Sequence, residues 1–169
     1  SRGLGDVYKR QIIYEKNNMI TLEELKSKID KNARLIGLDL GKKRIGVSIC
    51  DHKRIIATPF KTIEYVDHEN FITELLEIID QENIKAIVVG NPLNMDGSKG
   101  PSSQSALDKA KMIESKTNTP VALWDERLST VGAFKISSQL DINVSKRVQK
   151  IDENAATFIL QGAIEFLNN

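Results

Sequence analysis

The chain is short of most features that would assign it to a class at a glance. Cys50 is the one cysteine in 169 residues, which leaves no intrachain disulfide and no cysteine-based zinc site and suits a reducing compartment. No apolar run is long enough to span a bilayer, and the first residues lack the basic-then-apolar pattern of a secretory signal. Aromatic residues make up 5%, and the single tryptophan, Trp124, closes an apolar run, where it reads as core rather than as a platform for stacking bases. The two histidines, His52 and His68, fall in loops or helix starts and are given no catalytic role. A formal net charge of +1 neither marks nor excludes a nucleic-acid binder, because local clustering matters more than the sum. Internal repeats, low-complexity segments and domain linkers are also missing. What remains, 40% hydrophobic and 28% charged, is the composition of an ordinary globular domain, and the expectation is a cytoplasmic one.

The first residues stand apart. DVYKRQ, residues 6–11, is the translation of a transposase mosaic-end DNA used in sequencing adapters. The segment up to about Gln11 is therefore expected to be translated adapter, with natural translation starting at Met19. Residues 1–18 are set aside as a non-native or disordered tail.

Past Met19, Thr21 and Glu24 form a capping-box pattern ahead of Leu22, Leu25 and Ile29, which predicts a short amphipathic helix outside the main sheet, within an accessory segment 19–33. Three β-like runs follow, at 34–40, 44–50 and about 54–63, joined by GKK and DHKR. Pro59 marks the third as an edge or an end. Helical spacing then covers 67–80, an apolar strand 84–89, a turn-rich loop GNPLNMDGSKGPSS, a helix to about Lys116 and a strand 120–124. Residues 129–139 read as helix, 141–150 as a basic loop and 152–167 as the last helix. Hairpin-length links demand antiparallel pairing, and helical crossovers favour parallel pairing. The prediction is an α/β domain with a five-stranded mixed sheet, three antiparallel strands then two parallel, flanked by helices.

Asp39 is the anomaly in this pattern. It sits among Leu35, Ile36, Leu38 and Leu40, and an unpaired carboxylate taken out of water is costly. In the last helix, Asp152 is followed at intervals of three and four by Ala155, Ala156, Ile159, Leu160 and Ala163, the stripe expected to face the sheet. Asp125 and Glu126 follow a strand directly, where ligands gather in open α/β sheets. Carboxylates converging in this way repel one another unless cations lie between them, and hard oxygen donors suit Mg2+ or Mn2+. Two such ions can activate water and stabilise the leaving oxygen of a phosphodiester.

Four segments carry a family resemblance: GLDLGKKRIGVSICD, VVGNPLNMDGSKGP, DERLST and IDENAATFILQGAIEFL. In order and spacing they resemble the signatures of the YqgF family, RNase H-like proteins described as RuvX-type Holliday junction resolvase homologues and pre-16S rRNA nucleases. The resemblance runs from about Arg34 to Leu167 and implies an RNase H-like nuclease domain over 34–169. It places the acidic positions on Asp39, the Asp125–Glu126 pair and Asp152. Glu126 is favoured over Asp125 as the metal-site acid, and Asp39, Glu126 and Asp152 are expected to be catalytic. Asn91 stands where the family usually has leucine, and Cys50 where serine is common. Lys42, Lys43 and Arg44 follow Asp39 directly, while Lys146, Arg147 and Lys150 precede Asp152. Both clusters flank the acids where a phosphate backbone needs neutralising. Arg127 and Asn94 complete the expected substrate contacts.

The leading expectation is a metal-dependent endonuclease maturing the 5′ end of small-subunit ribosomal RNA. The alternatives are a Holliday junction resolvase acting on branched DNA, and a ribosome-assembly factor that binds RNA without cutting it. An ATPase of the actin or sugar-kinase type shares the GLDLGKKRIGV hairpin but closes two such domains around its nucleotide. The partner is nucleic acid rather than membrane, and the expected state is monomer or homodimer.

Overall fold

The computed structural model describes residues 19–128 and 144–169, the latter with side chains from 154 onward. The tail 1–18 and the predicted helix 129–139 lie outside the described residues.

Strand β1 (Arg34–Leu40) turns at Gly41 into β2 (Arg44–Cys50), and Gly41 N–H donates to the Arg44 carbonyl at 3.0 Å to close the hairpin. The third strand, β3 (Ala57–Glu64), pairs antiparallel with β2. It starts later than the predicted residue 54, because the Asp51 carboxylate takes the Ile55 and Ile56 amides at 2.7 and 2.8 Å and holds them in the turn. Those two amides, Ile56 first, keep the Asp51 carboxyl below its ordinary range. Pro59 does fall on an outer strand, beside a register shift between Val47 and Ser48. Strands β4 (Ile84–Asn91) and β5 (Val121–Asp125) add in parallel, giving the order β3-β2-β1-β4-β5. This is the predicted mixed sheet, with β1 at its centre.

The helices divide between the two faces. Helix α1 (Leu22–Lys28) is capped by Thr21, whose hydroxyl accepts from the Glu24 amide at 3.1 Å. Helix α2 (His68–Gln81) is capped by Asp67, and α3 (Pro101–Thr117) begins on proline, whose fixed φ suits a first turn, and ends at Asn118 in the left-handed conformation. Ile36, Leu38, Val47, Phe71, Leu75, Ala110 and Ile113 form the core beneath α2 and α3. Leu76, which shares the helical spacing, is 40% exposed.

The other face belongs to α4 (Val144–Asn168). Its predicted stripe of Ala155, Ala156, Ile159, Leu160 and Ala163 is fully buried against Leu35, Val88 and Trp124. Leu22 and Leu25 of α1 join this core, and Ile20 makes a bridge to Ala122 of β5. The helix starts earlier than expected: residues 144–150, read from sequence as a basic loop, are helical, so Asp152 lies about two turns inside the helix rather than at its first turn. VSKRVQK holds neither proline nor glycine and runs without a stop signal into IDENAA, which explains the extension.

Helix α4 approaches the sheet closely because glycines leave room. A β-carbon at Gly37 would lie 2.6 Å from Ser48 Oγ, 2.7 Å from Leu160 Cβ and 2.9 Å from the Ala156 carbonyl oxygen. Ser48 Oγ donates to that carbonyl at 2.7 Å. At the far end, Asn168 Nδ2 donates to the Arg54 carbonyl at 2.7 Å, pinning the helix terminus to the β2–β3 turn. Gly37→Ala is expected to destabilise the protein by about 1–3 kcal/mol, because two of the three atoms it would strike belong to rigid parts of α4. Urea unfolding checks this as a lowered midpoint at unchanged slope.

Candidate active site

Side-chain alternation decides which residues share a face. Leu35 and Gly37 of β1 face α4, so Asp39, two residues on, faces the same side, at the end where β1, β4 and β5 all terminate. The register pairs Leu38 with Val89, which sets Asp39 beside Gly90 one step further along. Adjacent strands are about 4.8 Å apart. A β-carbon on Gly90 would lie 2.5 Å from Glu126 Oε1 and 2.5 Å from Ile159 Cδ1. The Glu126 carboxylate thus rests on bare β4 backbone, against α4, on the strand next to Asp39. Both acids are half-buried and both are engaged within the fold.

Asp125 is directed elsewhere. Trp124 packs toward α4 against Gly162, so the next residue along β5 turns to the opposite face. Its carboxylate takes Arg127 Nε at 3.0 and 3.1 Å and Nη2 at 2.6 Å, and also accepts from the Arg127 amide at 3.0 Å. This fork holds the Asp125 carboxyl below the usual carboxylate range, the side-chain hydrogen bonds from Arg127 being the main cause. Glu126 opens a 3-10 turn, Glu126–Leu128, and that change of backbone direction returns its side chain to the α4 face.

Arg127 also ties down the loop after β4. Its Nη1 donates to the Met95 carbonyl at 3.3 Å. Within the loop, the Asn94 carbonyl accepts from the Gly97 amide at 2.8 Å and Asn94 Nδ2 donates to Ser98 Oγ at 2.9 Å. Asn94, expected to contact substrate, therefore also builds the loop. Asn91 accepts from Ser103 Oγ at 2.7 Å and fixes the first turn of α3 to the end of β4, a use for the residue that replaces leucine.

Of the basic residues, Lys42 and Lys43 are exposed in the β1–β2 turn and Arg44 is half-buried on the α4 side of β2. Lys109, which the sequence reading passed over, reaches from α3 to this turn. Its ammonium donates to the Gly41 carbonyl at 3.1 Å and lies 4.5 Å from the Tyr65 ring centre, and burial pushes its pKa down. No local signal marks it, since its partner is a backbone carbonyl 68 residues away. Lys146, Arg147, Lys150 and Asp152 lie in α4 with side chains outside the described residues. One turn back from Ala156, about 6 Å of helix, is residue 152. Two residues on from Gly37, about 6.6 Å of strand, is Asp39. Since Ala156 lies on Gly37, the helix backbone at 152 comes to about the level of Asp39. Among the described residues no three His, Cys, Asp or Glu side chains are grouped closely enough to hold a metal ion.

Residues 33–166 match a family model described as "RuvX: Holliday junction resolvase". A protein of Pelagibacter ubique (strain HTCC1062) named "Putative pre-16S rRNA nuclease" is 62% identical over 151 residues, 89% of this chain and 100% of that protein. One of the same name from Rhizobium meliloti (strain 1021) is 42% identical over 149 residues, 88% of this chain and 90% of its own. Among solved structures, Thermus thermophilus RuvC in complex with a Holliday junction substrate aligns with a TM-score of 0.50 at 10% identity, over 79% of this chain and 94% of that one. At that identity the likeness is one of fold, the RNase H-like arrangement that the family resemblance implies.

The Asp125–Arg127 fork makes a pH-dependent contribution to stability. A carboxyl more acidic when folded than when unfolded adds stability that is present above its unfolded pKa of about 3.9 and is lost as pH falls through the lower folded value. Asp125→Asn is therefore expected to be less stable than the wild type near neutrality, with the gap closing below about pH 4. Urea unfolding of both proteins from pH 2 to 7 checks it; a gap of constant size would refute the link to ionisation.

Proposed function

The chain belongs to the RuvX family of Holliday junction resolvases, and from that premise we propose that it is a divalent-metal-dependent endonuclease acting on precursor 16S ribosomal RNA. The observation that carries this reading is the Glu126 carboxylate seated on Gly90, one strand from Asp39, on the face that α4 covers. The names of its close relatives support the RNA substrate.

The donor chemistry fits Mg2+ or Mn2+: two half-buried carboxylates with hard oxygens share one face, and α4 brings Asp152 toward their level. Asp39, Glu126 and Asp152 would hold the ions. When bound, such ions supply activation of water and stabilisation of the departing oxygen. The chain's own residues do the rest. Gly90 keeps Glu126 over the strand end, and Ile159 closes its apolar side. Lys42, Lys43 and Arg44, next to Asp39, and Lys146 and Arg147, earlier on the helix that carries Asp152, neutralise the phosphate backbone. Asp125 orients Arg127 rather than binding metal, and Asn94 holds the loop that meets the substrate. Lys109 fixes the β1–β2 turn and so the first basic cluster.

Cleavage of precursor 16S RNA and of a four-way DNA junction, offered side by side with Mg2+ or Mn2+, tests the reading. Cutting of the RNA, abolished by chelation, is the expected result. Cutting of the junction alone, by a symmetric dimer suited to a two-fold substrate, would make the chain a resolvase. RNA binding without turnover would make it an assembly factor. Asp39→Asn is expected to lower cleavage by about 10²-fold or more, and Asp125→Asn by less than about tenfold. Gly90→Ala is expected to lower the rate by more than its loss of stability accounts for, because its methyl would strike Glu126 Oε1 and the buried Ile159 Cδ1 alike at 2.5 Å. Circular dichroism and single-turnover rates on the same preparations separate the two effects.

A further inference from the structure

We propose that Met95 is a wedge that contacts an unstacked nucleobase beside the scissile phosphate, which gives the nuclease its preference for structured RNA; this rests on the nuclease reading above. Met95 is 90% exposed, the most exposed large apolar side chain among the described residues. Scattered apolar residues on a surface are ordinary. The setting of this one is not. Its loop runs from the end of β4, where Gly90 supports Glu126, to the start of α3.

The loop is built before any substrate arrives. Asn94 N–H donates to the Ser98 carbonyl at 3.0 Å, and Gly97 N–H donates to the Asn94 carbonyl at 2.8 Å. Asp96 Oδ1 accepts from the Ser98 amide at 2.9 Å and from its hydroxyl at 2.6 Å. Gly97 supplies the positive φ, +85°, that the turn requires. From outside, Arg127 Nη1 donates to the Met95 carbonyl at 3.3 Å while its other nitrogens are forked onto Asp125. Asp125 immediately precedes Glu126. The backbone of Met95 is thus fixed, through one side chain, to the segment that carries a metal-site acid.

A rigid mount that leaves an apolar side chain in water costs solvation and gains nothing for the free protein. It pays back only against a partner, with the loop's ordering entropy already spent. Among nucleic-acid binders, Met and Leu are wedge side chains inserted between base steps, and methionine's unbranched, polarisable thioether adapts to any base. Arg127 acts here as a positioning residue, tying the backbone of Met95 to the segment that carries Glu126.

The test uses the full chain and two RNAs of one sequence, one duplex-flanked and one single-stranded, each with 2-aminopurine on either side of the bond that the wild type cuts. Ca2+ replaces Mg2+ for the binding measurements. The wild type is expected to raise 2-aminopurine fluorescence on the duplex-flanked RNA. Met95→Ala is expected to lose that rise and to increase KM about tenfold, against less than about twofold on the single strand, where no stacked step must be opened. Met95→Leu is expected to restore both. A Met95→Ala variant with an unchanged fluorescence rise and KM would overturn the wedge while leaving the nuclease intact. A wild type that neither binds nor cuts either RNA would overturn the nuclease reading and the wedge together.

Discussion

The contact of α4 with the sheet at Gly37 is the constraint on which the rest of the site depends. The Ser48 hydroxyl meets the Ala156 carbonyl at 2.7 Å over backbone that carries no side chain. That short approach sets the height of the helix, and the height sets what the helix can reach. Because Ala155 and Ala156 are small and fully buried, the helix lies low enough for its earlier turn to come to the level of Asp39. A bulkier residue at Gly37 or Gly90 would lift the helix or push Glu126 aside. The proposed acidic centre depends on glycines and alanines as much as on carboxylates.

The two adjacent acids after β5 show how one sequence motif divides into two tasks. Strand alternation commits Trp124 to the α4 core and turns Asp125 away from it. There, Asp125 can serve only the loop side, and it does so through Arg127. The 3-10 turn breaks the alternation and brings Glu126 back. Asp125 and Glu126 are neighbours in the chain and occupy opposite faces of the sheet.

Much of this architecture was legible in the sequence because it rests on periodicity. The alternating and helical apolar patterns carried the five strands, the mixed pairing and the buried stripe of α4. The isolated Asp39 among leucines and isoleucines pointed to the strand end at which Glu126 also lies. The misplaced boundaries have local causes. A charged, breaker-free stretch at 144–150 looks like solvated loop when judged by charge, yet nothing in it stops a helix. The start of β3 was missed because Asp51 captures two amides that pattern alone would assign to the strand. The opposite facing of Asp125 and Glu126 depends on which face Trp124 takes, and the half-buried setting of Lys109 depends on a carbonyl far along the chain. Neither can be read without the tertiary fold.

The bond between Ser48 and Ala156 joins residues 108 apart in sequence, and β1 receives its parallel neighbour only from β4, beyond a whole helix. Contacts of such separation form late, because the chain between them must first be closed into a loop. A chain emerging from the ribosome can make the β1–β2–β3 meander early, but its α4 face stays bare until the final helix is out. The α4 face of the sheet, with Asp39 and Glu126 on it, is therefore covered only after the chain has been made through α4, whereas the β1–β2 turn that carries Lys42–Arg44 can form before it.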